Sequence, residues 1–495
     1  MSRIMIAGTG SGAGKTTAVI GLMKALVNRG MNVSAFKCGP DYIDPMFHKK
    51  VVGTMARNLD SIFCDENRIR YLTSVNEGEI SVMEGVMGYY DGVGTAGSSM
   101  EISRITKTPV IIVIDCKGMG MSIGAVMKGF LTYRNNHQIV GFIFNRLPDS
   151  LEKTVREICD ELHTGYFGRI PFKKEVSIES RHLGLITADE MEDLKGKVEK
   201  LANLCEEYLD LSAIIKAANK AEPLEYEEPC PEVKPLQNHT RIALADDRAF
   251  SFIYQDNIDF LERMGVEVVR FSPLKDEHVP WGINGLILPG GYPELYAEEL
   301  ENNSSMRKSI RQAVLAVPTI AECGGFMYLH DFLRSKGKDY EMAGVIRGTV
   351  HNENRLVRFG YVEMECKEEN LFGQKGEKIK AHEFHYWDSD NGGSDCNVRK
   401  LSRKQEYEHG YLNENLYAGF PHIYFYGNTQ SAISFVKKCS GTSCFDSAIN
   451  NKVTDESKDT DKIEDTDESW DTDESKGTDG SKDIDGIEDI DGKNQ

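Results

Sequence analysis

The sequence has no CxxC pair. Its 11 cysteines are scattered one by one, so neither a structural zinc site nor a redox dithiol is indicated. No apolar run approaches the roughly 18 residues that read as a membrane-crossing helix, and no hydrophobic segment opens the chain. The expectation is a cytoplasmic protein with reduced thiols and no membrane partner. Positive charge is in deficit: the formal net charge is −20, which gives nucleic-acid binding no electrostatic support. The helical zinc motif is missing as well, because His382-Glu383-Phe384-His385 is one residue shorter than H-E-x-x-H; structural hydrogen bonding or a contact between domains is the better expectation for these side chains.

The charge deficit is uneven. Residues 451–495 carry −11, from 17 Asp and Glu against 6 Lys. They repeat Asp-Thr-Asp-Glu-Ser and Asp-Ile-Asp-Gly themes with few aliphatic side chains to offset chain entropy, so a disordered acidic tail is expected. The Asp/Gly alternation lacks EF-hand spacing and flanking helices.

What remains is too long for one core. Residues 1–190 alternate apolar runs (Met5–Ala7, Val33–Lys37, Ile80–Val82, Val110–Asp115, Ile139–Asn145) with helical stretches, the pattern of an α/β fold with a mostly parallel, doubly wound sheet. Residues 191–220 read as helix, with Leu194, Val198, Leu201, Leu204 and Tyr208 at spacings of three or four. Residues 222–238, rich in Pro and Glu, read as a linker. A second doubly wound α/β domain is expected over 239–437, from the runs Ile242–Ala245, Glu267–Phe271, Leu286–Leu288 and Val317–Ala321.

The first domain opens on a phosphate-binding pattern. The strand Ile4-Met5-Ile6-Ala7 runs into Gly8-Thr9-Gly10-Ser11-Gly12-Ala13-Gly14-Lys15-Thr16-Thr17 and then a helical stretch. Gly10, Gly12 and Gly14 let backbone N–H groups converge on phosphate oxygens, Lys15 supplies a point charge, and the Thr16 hydroxyl, with Thr17 beside it, can reach Mg²⁺. A strict Walker A loop would place a glycine where Thr9 stands; the extra residue resembles dethiobiotin synthetase and its relatives, which implies ATP as co-substrate.

Carboxylates cluster at the following strand ends. Asp41 and Asp44 lie in Gly39-Pro40-Asp41-Tyr42-Ile43-Asp44-Pro45, and Glu84 closes the strand before Gly85, where open α/β sheets hold ligands. Mg²⁺ takes hard oxygens and only one or two carboxylates, phosphate and water completing it, so Thr16, Asp41 and Glu84 are the candidate metal ligands. Asp41 or Asp44 can instead cap the Pro45 turn. Asp44, Asp91, Arg181 and His182 are candidates for the acceptor, with an Asp-Gly turn as the alternative for Asp91 and a solvated loop pair for Arg181 and His182. Asn145 either meets the nucleotide base or caps a turn.

The second domain carries a nucleophile. In Pro318-Thr319-Ile320-Ala321-Glu322-Cys323-Gly324-Gly325-Phe326 an apolar strand ends in a thiol and two glycines before a helix-forming stretch. Such a strand-to-helix elbow lifts sulfur clear of the backbone and aims a helix N-terminus at it, favouring thiolate and the oxyanion formed on attack. Upstream, Leu288-Pro289-Gly290-Gly291 supplies a second backbone N–H, so Gly291 and Gly324 are the candidate oxyanion hole. Downstream, His422 opens Pro421-His422-Ile423-Tyr424-Phe425.

Cysteine, hole and histidine occur in an order that resembles class I glutamine amidotransferases. There the thiolate attacks the carboxamide of glutamine, histidine moves the protons, and ammonia leaves. The usual third member, a Glu two residues after the histidine, is Tyr424 here, leaving a Cys323–His422 dyad. With Gly168-Arg169-Ile170-Pro171, Ser180-Arg181-His182, Asp247-Arg248-Ala249-Phe250-Ser251-Phe252, Phe271-Ser272-Pro273-Leu274 and His382-Glu383-Phe384-His385-Tyr386, the chain over about residues 1–437 resembles the cobyrinic acid a,c-diamide synthase family. The resemblance implies a ligase that uses glutamine and ATP to amidate a tetrapyrrole polycarboxylate at its a and c acetates, through an acyl phosphate. It leaves a homodimer open. Cobyric acid synthase shares both domain types, but Gly39-Pro40-Asp41-Tyr42-Ile43-Asp44-Pro45 and His382-Glu383-Phe384-His385-Tyr386 look more like the a,c-diamide enzyme; nickel-sirohydrochlorin amidases carry the same motifs, hydrogenobyrinic acid stays open as acceptor, and a MinD/ParA-like ATPase switch would need neither Cys323 nor His422.

Overall fold

The apolar runs of the first 170 residues become strands buried on both faces, as parallel sheets require. They are β1 (Ser2–Gly8), β2 (Val33–Cys38), β3 (Ala56–Leu59), β4 (Ile80–Glu84), β5 (Val110–Asp115), β6 (Ile139–Asn145) and β7 (Gly165–Ile170). They form one sheet in the order β3-β2-β4-β1-β5-β6-β7, and each neighbouring pair is parallel. β3 and β7 escape the sequence pattern because Arg57 and Asn58 break one run and Gly165, Gly168 and Arg169 the other. The loops after β1, β2 and β4 leave the same edge, around the central strand where the strand order reverses. The structure is a computed structural model that describes residues 2–49, 53–76, 78–94, 96–176, 180–181, 184–185 and 194–446.

Helix α1 (Lys15–Asn28) follows β1, and the helix Leu194–Tyr208 lies against it. The approach is close: a Cβ on Gly21 would stand 2.5 Å from the Cys205 sulfur and 2.9 Å from Leu201 Cγ. Leu201, Ala202 and Cys205, with Ile214 from the helix Leu211–Ala218, are fully buried. The segment expected to lead into a linker thus completes the core around the first sheet. The stretch after it is also anchored. Cys230 and Val233 are buried, and Asn67 Nδ2 donates to the Glu227 carbonyl at 3.1 Å.

The second sheet takes Val266–Phe271, Thr240–Ala245, Gly285–Leu288, Thr319–Glu322 and Leu416–Gly419 in that order, mutually parallel, with Tyr411–Leu412 antiparallel at one edge. Between Thr319–Glu322 and Leu416–Gly419 the chain makes two further sheets that the expectation of a plain doubly wound domain left out. One is four-stranded. The other pairs Glu406–His409, Cys396–Lys400, Arg358–Cys366 and Lys378–His385 antiparallel, and His422–Ile423, which comes after Leu416–Gly419, joins at its edge. Their strands carry charged residues on the outer face, so they lack the long apolar runs by which the parallel strands announce themselves. The expected end at residue 437 falls inside the helix Thr429–Gly441, and Phe445 is buried and bridges to Ile283. Residues 2–446 lie within one compact unit. The tail expected over 451–495 falls outside the described residues.

Candidate active sites

Cys323 ends the strand Thr319–Glu322 with φ 46° and ψ −100°, and caps the short helix Gly324–Tyr328. A non-glycine residue held at positive φ stores backbone strain at the turn that presents its side chain. The elbow is closed by Cys323 N donating to the Gly419 carbonyl at 2.8 Å and Gly325 N donating to the Pro289 carbonyl at 3.1 Å. Both glycines after the cysteine are sterically required: a Cβ on Gly325 would meet the Leu288 oxygen at 2.1 Å, and one on Gly324 the Gly291 nitrogen at 2.9 Å. The elbow and the Gly290-Gly291 turn are therefore in backbone contact.

His422 reaches the same place by a different route. The chain leaves the parallel sheet at Gly419, and His422 pairs with His382 at the edge of the antiparallel sheet. Its ring, 2 % exposed, is held on one side by Gly290, where a Cβ would stand 2.4 Å from His422 Cε1. The Tyr42 ring lies 4.7 Å away. Nδ1 is 3.6 Å from Glu322 Oε2, and Glu322 Oε1 accepts from Ile423 N at 2.9 Å.

The expected thiolate is not the form this environment favours. Burial, with the Glu294 carboxylate nearby, pushes the Cys323 thiol up to about 12 against the pull of the Gly324 N–H. A five-residue helix offers too little dipole to offset a sulfur shut away from water.

At the other site, Gly12 and Gly14 turn the loop with φ of +77° and +97°, and Gly14 caps α1. Asn145 Nδ2 donates to the Ala13 carbonyl at 3.0 Å, and a Cβ on Gly14 would stand 2.2 Å from that amide nitrogen. Lys15 folds back, its Nζ donating to the Gly10 carbonyl at 2.9 Å. Burial and the nearby Lys37 charge bring the Lys15 ammonium down to about 8. Thr16 Oγ1 donates to Glu84 Oε1 at 2.6 Å.

Lys37, which the sequence reading passed over, sits at the centre of the carboxylates. Its Nζ is 3.2 Å from Glu84 Oε1, 3.6 Å from Asp41 Oδ2, and paired with Asp44 Oδ2. His48 Nε2 lies 3.2 Å from Glu84 Oε2. Burial opposes the Glu84 charge, but Lys37, His48 and the Thr16 hydroxyl outweigh it and hold the carboxyl well below the usual range. Burial likewise opposes the Lys37 charge, and Asp44, Glu84 and Asp41 prevail, raising it well above a free lysine.

The remaining candidates are placed as follows. Asp41 Oδ1 accepts from Ile43 N and Asp44 N at 2.9 and 3.2 Å, the turn-capping role weighed for it, while Oδ2 faces Lys37. Asp91 is exposed, and its Oδ2 accepts from Gly88 N at 2.8 Å, closing its own turn. Thr17 follows Thr16 in the first turn of α1. Arg181 lies on a two-residue strand paired with Gly184, and His182 is outside the described residues. Glu322, Lys37, His48 and Tyr42 are additions from the structure; the first two lie at the C-terminal ends of apolar strands, and that position is the one signal that could have picked them out.

A parallel α/β sheet with a glycine-rich loop, joined to a second α/β sheet where a cysteine elbow and a histidine both pack on Gly290-Gly291, fits a glutamine-dependent ligase that forms amides. Residues 4–186 match the CobQ/CobB/MinD/ParA nucleotide binding domain, and residues 241–430 the CobB/CobQ-like glutamine amidotransferase domain. The chain is 39 % identical over 443 residues to the cobyrinate a,c-diamide synthase of Listeria innocua, covering 86 % of this chain and 97 % of that one. It is 39 % identical over 448 residues to the enzyme of that name from Priestia megaterium, with 88 % and 97 % covered, and 36 % identical over 448 residues to that of Picrophilus torridus, with 89 % and 99 % covered. The chain belongs to the cobyrinate a,c-diamide synthase family. Among the described residues no helix is long and apolar enough to cross a membrane.

Proposed function

We propose that this protein amidates the a and c acetate carboxylates of cobyrinic acid in cobalamin biosynthesis, using ATP and glutamine. The observation that carries the reading is that the Cys323 elbow and the His422 ring both pack on Gly290-Gly291, in the same compact unit as the glycine-rich loop that leads into Lys15 and Thr16. In the glutaminase half-reaction His422 takes the Cys323 proton as sulfur attacks the glutamine carboxamide. The Gly291 and Gly324 N–H groups receive the oxyanion. The C–N bond breaks, His422 returns the proton to the leaving nitrogen as ammonia, and water releases glutamate from the thioester.

In the synthetase half-reaction the acceptor carboxylate attacks the γ-phosphorus of ATP, giving an acyl phosphate and ADP; ammonia then displaces phosphate to leave the amide. A carboxylate needs this activation because its own leaving group would be oxide. Lys15 neutralises charge on the transferring phosphoryl group. Asn145, fixed beside the loop, is the candidate contact for the base. Asp44, Asp91, Arg181 and His182 keep their assignment to the acceptor.

The site suits Mg²⁺ by its donor chemistry. Thr16 Oγ1 and Glu84 Oε1 are 2.6 Å apart, and the buried Glu84 Oε2 receives no hydrogen bond; a hydroxyl and one or two carboxylates are the share a protein gives Mg²⁺ when phosphates complete the shell. Thr16 and Glu84, with Asp41, would hold it, and when bound it offsets phosphoryl charge. The test is to supply purified protein with glutamine, MgATP and, separately, cobyrinic acid, hydrogenobyrinic acid and nickel-sirohydrochlorin, and to follow products by mass spectrometry. Two carboxylate-to-amide conversions on cobyrinic acid are expected; turnover on nickel-sirohydrochlorin alone would move the protein to another pathway, and none on any acceptor would defeat the reading.

A further inference from the structure

We infer that Glu322 is the third member of the glutaminase site, a positioning residue that orients the His422 imidazole and stabilises the imidazolium formed as it takes the Cys323 proton. The inference rests on the glutaminase reading above. The position two residues after the histidine, where class I amidotransferases carry this carboxylate, holds Tyr424, and its hydroxyl turns away to donate to the Asn58 carbonyl at 3.2 Å. His422 Nδ1 is consequently a buried ring nitrogen without a hydrogen-bond partner. The charged oxygen facing it is Glu322 Oε2, at 3.6 Å. Neither side chain is open to solvent, with Glu322 7 % and His422 2 % exposed, so their attraction is screened far less than that of a surface pair.

The carboxylate is held in place from its other end, because Glu322 Oε1 accepts from the backbone N–H of Ile423, the residue after the histidine, at 2.9 Å. One side chain thus joins the strand that ends in the nucleophile to the segment that carries the base. The Cys323 site needs such help, since its thiol is poorly acidic where it lies. With the proton of the neutral ring on Nδ1 and directed at Glu322, the Nε2 lone pair is left for the thiol. When that proton arrives the ring becomes a cation, and Glu322 stabilises it without itself being protonated. The arrangement reproduces a cysteine–histidine–carboxylate triad from a different place in the chain: the carboxylate precedes the nucleophile instead of following the base.

The test compares Glu322→Gln and Glu322→Asp with Cys323→Ser in the full-length protein. Glutamate release, ammonia-dependent synthesis and melting temperature are measured for each. Glu322→Gln keeps an acceptor for Ile423 N and removes only the charge. It is expected to lower glutaminase kcat at least about 100-fold with KM for glutamine within about threefold, leaving ammonia-dependent synthesis and melting temperature unchanged; Glu322→Asp should recover part of the loss. A Glu322→Gln kcat within about threefold of wild type overturns the inference, as does an equal fall in both activities with a lowered melting temperature. Cys323→Ser separates the two levels: if it retains glutaminase activity, the site itself is wrong, whereas its loss beside an active Glu322→Gln removes only Glu322.

Discussion

The ring of Tyr42, in the loop that carries Asp41 and Asp44, lies 4.7 Å from the ring of His422, centroid to centroid. It also stacks on Phe252 at 5.4 Å and leans on Tyr254 at 4.7 Å. The loop that follows β2 therefore supplies one wall of the His422 ring. Tyr42→Ala removes that wall while Asp41 and Asp44 keep the loop tied to Lys37. Glutamine-dependent turnover should fall about 10- to 100-fold through misplacement of the ring, and ammonia-dependent synthesis should fall less. Tyr42→Phe, which keeps the stacking surface, should stay near wild type. Steady-state rates with each nitrogen source decide it, and equal losses would show that the contact does not serve His422.

In the proposed mechanism Lys15 and Glu84 act before nitrogen enters. Lys15→Ala should abolish amidation with glutamine and with ammonia alike, since neither source bypasses activation of the carboxylate. Glu84→Gln should do the same to a smaller degree, weakened further because it leaves the buried Lys37 without one of its counter-charges; loss of one partner of such a pair costs about 3–5 kcal/mol. A melting curve alongside the assay separates catalysis from stability. Near-normal ammonia-dependent activity in Lys15→Ala would remove the loop from ATP chemistry.

The sequence makes the two chemistries legible and leaves their supports hidden. Gly14-Lys15-Thr16 and Cys323-Gly324-Gly325 can be read because their backbone needs are local: positive φ, close approach, a strand feeding a helix. Lys37, His48 and Glu322 are hidden because their roles depend on which strand ends become neighbours. Lys37 looks like the polar end of a buried strand until β4 brings Glu84 to 3.2 Å. Glu322 looks incidental until the chain leaves the main sheet at Gly419 and brings back His422. The inserted antiparallel strands were illegible for a related reason, since alternating polar residues identify a strand without naming its partner.

The acidity of Lys15 gives a pH signature. Burial and Lys37 lower it to about 8, against the favourable charges of Glu84, Asp44 and Asp91. In the nucleotide-free protein its charge is present below that value and lost as pH rises through it. ATP phosphates restore the charge, so binding takes up a proton on the alkaline side. The dissociation constant for ATP should be flat below about pH 7 on this account and rise by up to about tenfold per unit above pH 8. Lys15→Arg, charged throughout, should flatten the profile even if its affinity differs. Equilibrium titrations of ATP binding across that range test it, and a wild-type profile without an alkaline limb would mean that the ammonium does not meet the phosphates.

Gly290 offers the sharpest steric test of the glutaminase geometry. Its missing side chain leaves room for His422: a Cβ there would stand 2.4 Å from Cε1 and 3.2 Å from Nε2. The ring cannot yield easily, because Tyr42 and Phe252 lie beside it. Gly290→Ala should therefore push the imidazole out of the place it occupies against Gly290. Overpacking of this kind costs about 1–3 kcal/mol of stability, and the displaced base should lower glutaminase turnover about 100-fold. The nucleotide loop is untouched, so ammonia-dependent synthesis should persist. The variant differs from Cys323→Ser in one respect: its thiol remains, and slow alkylation of Cys323 by a small electrophile should still be seen by mass spectrometry. Unchanged glutaminase activity in Gly290→Ala would mean that His422 works from a position other than the one against Gly290.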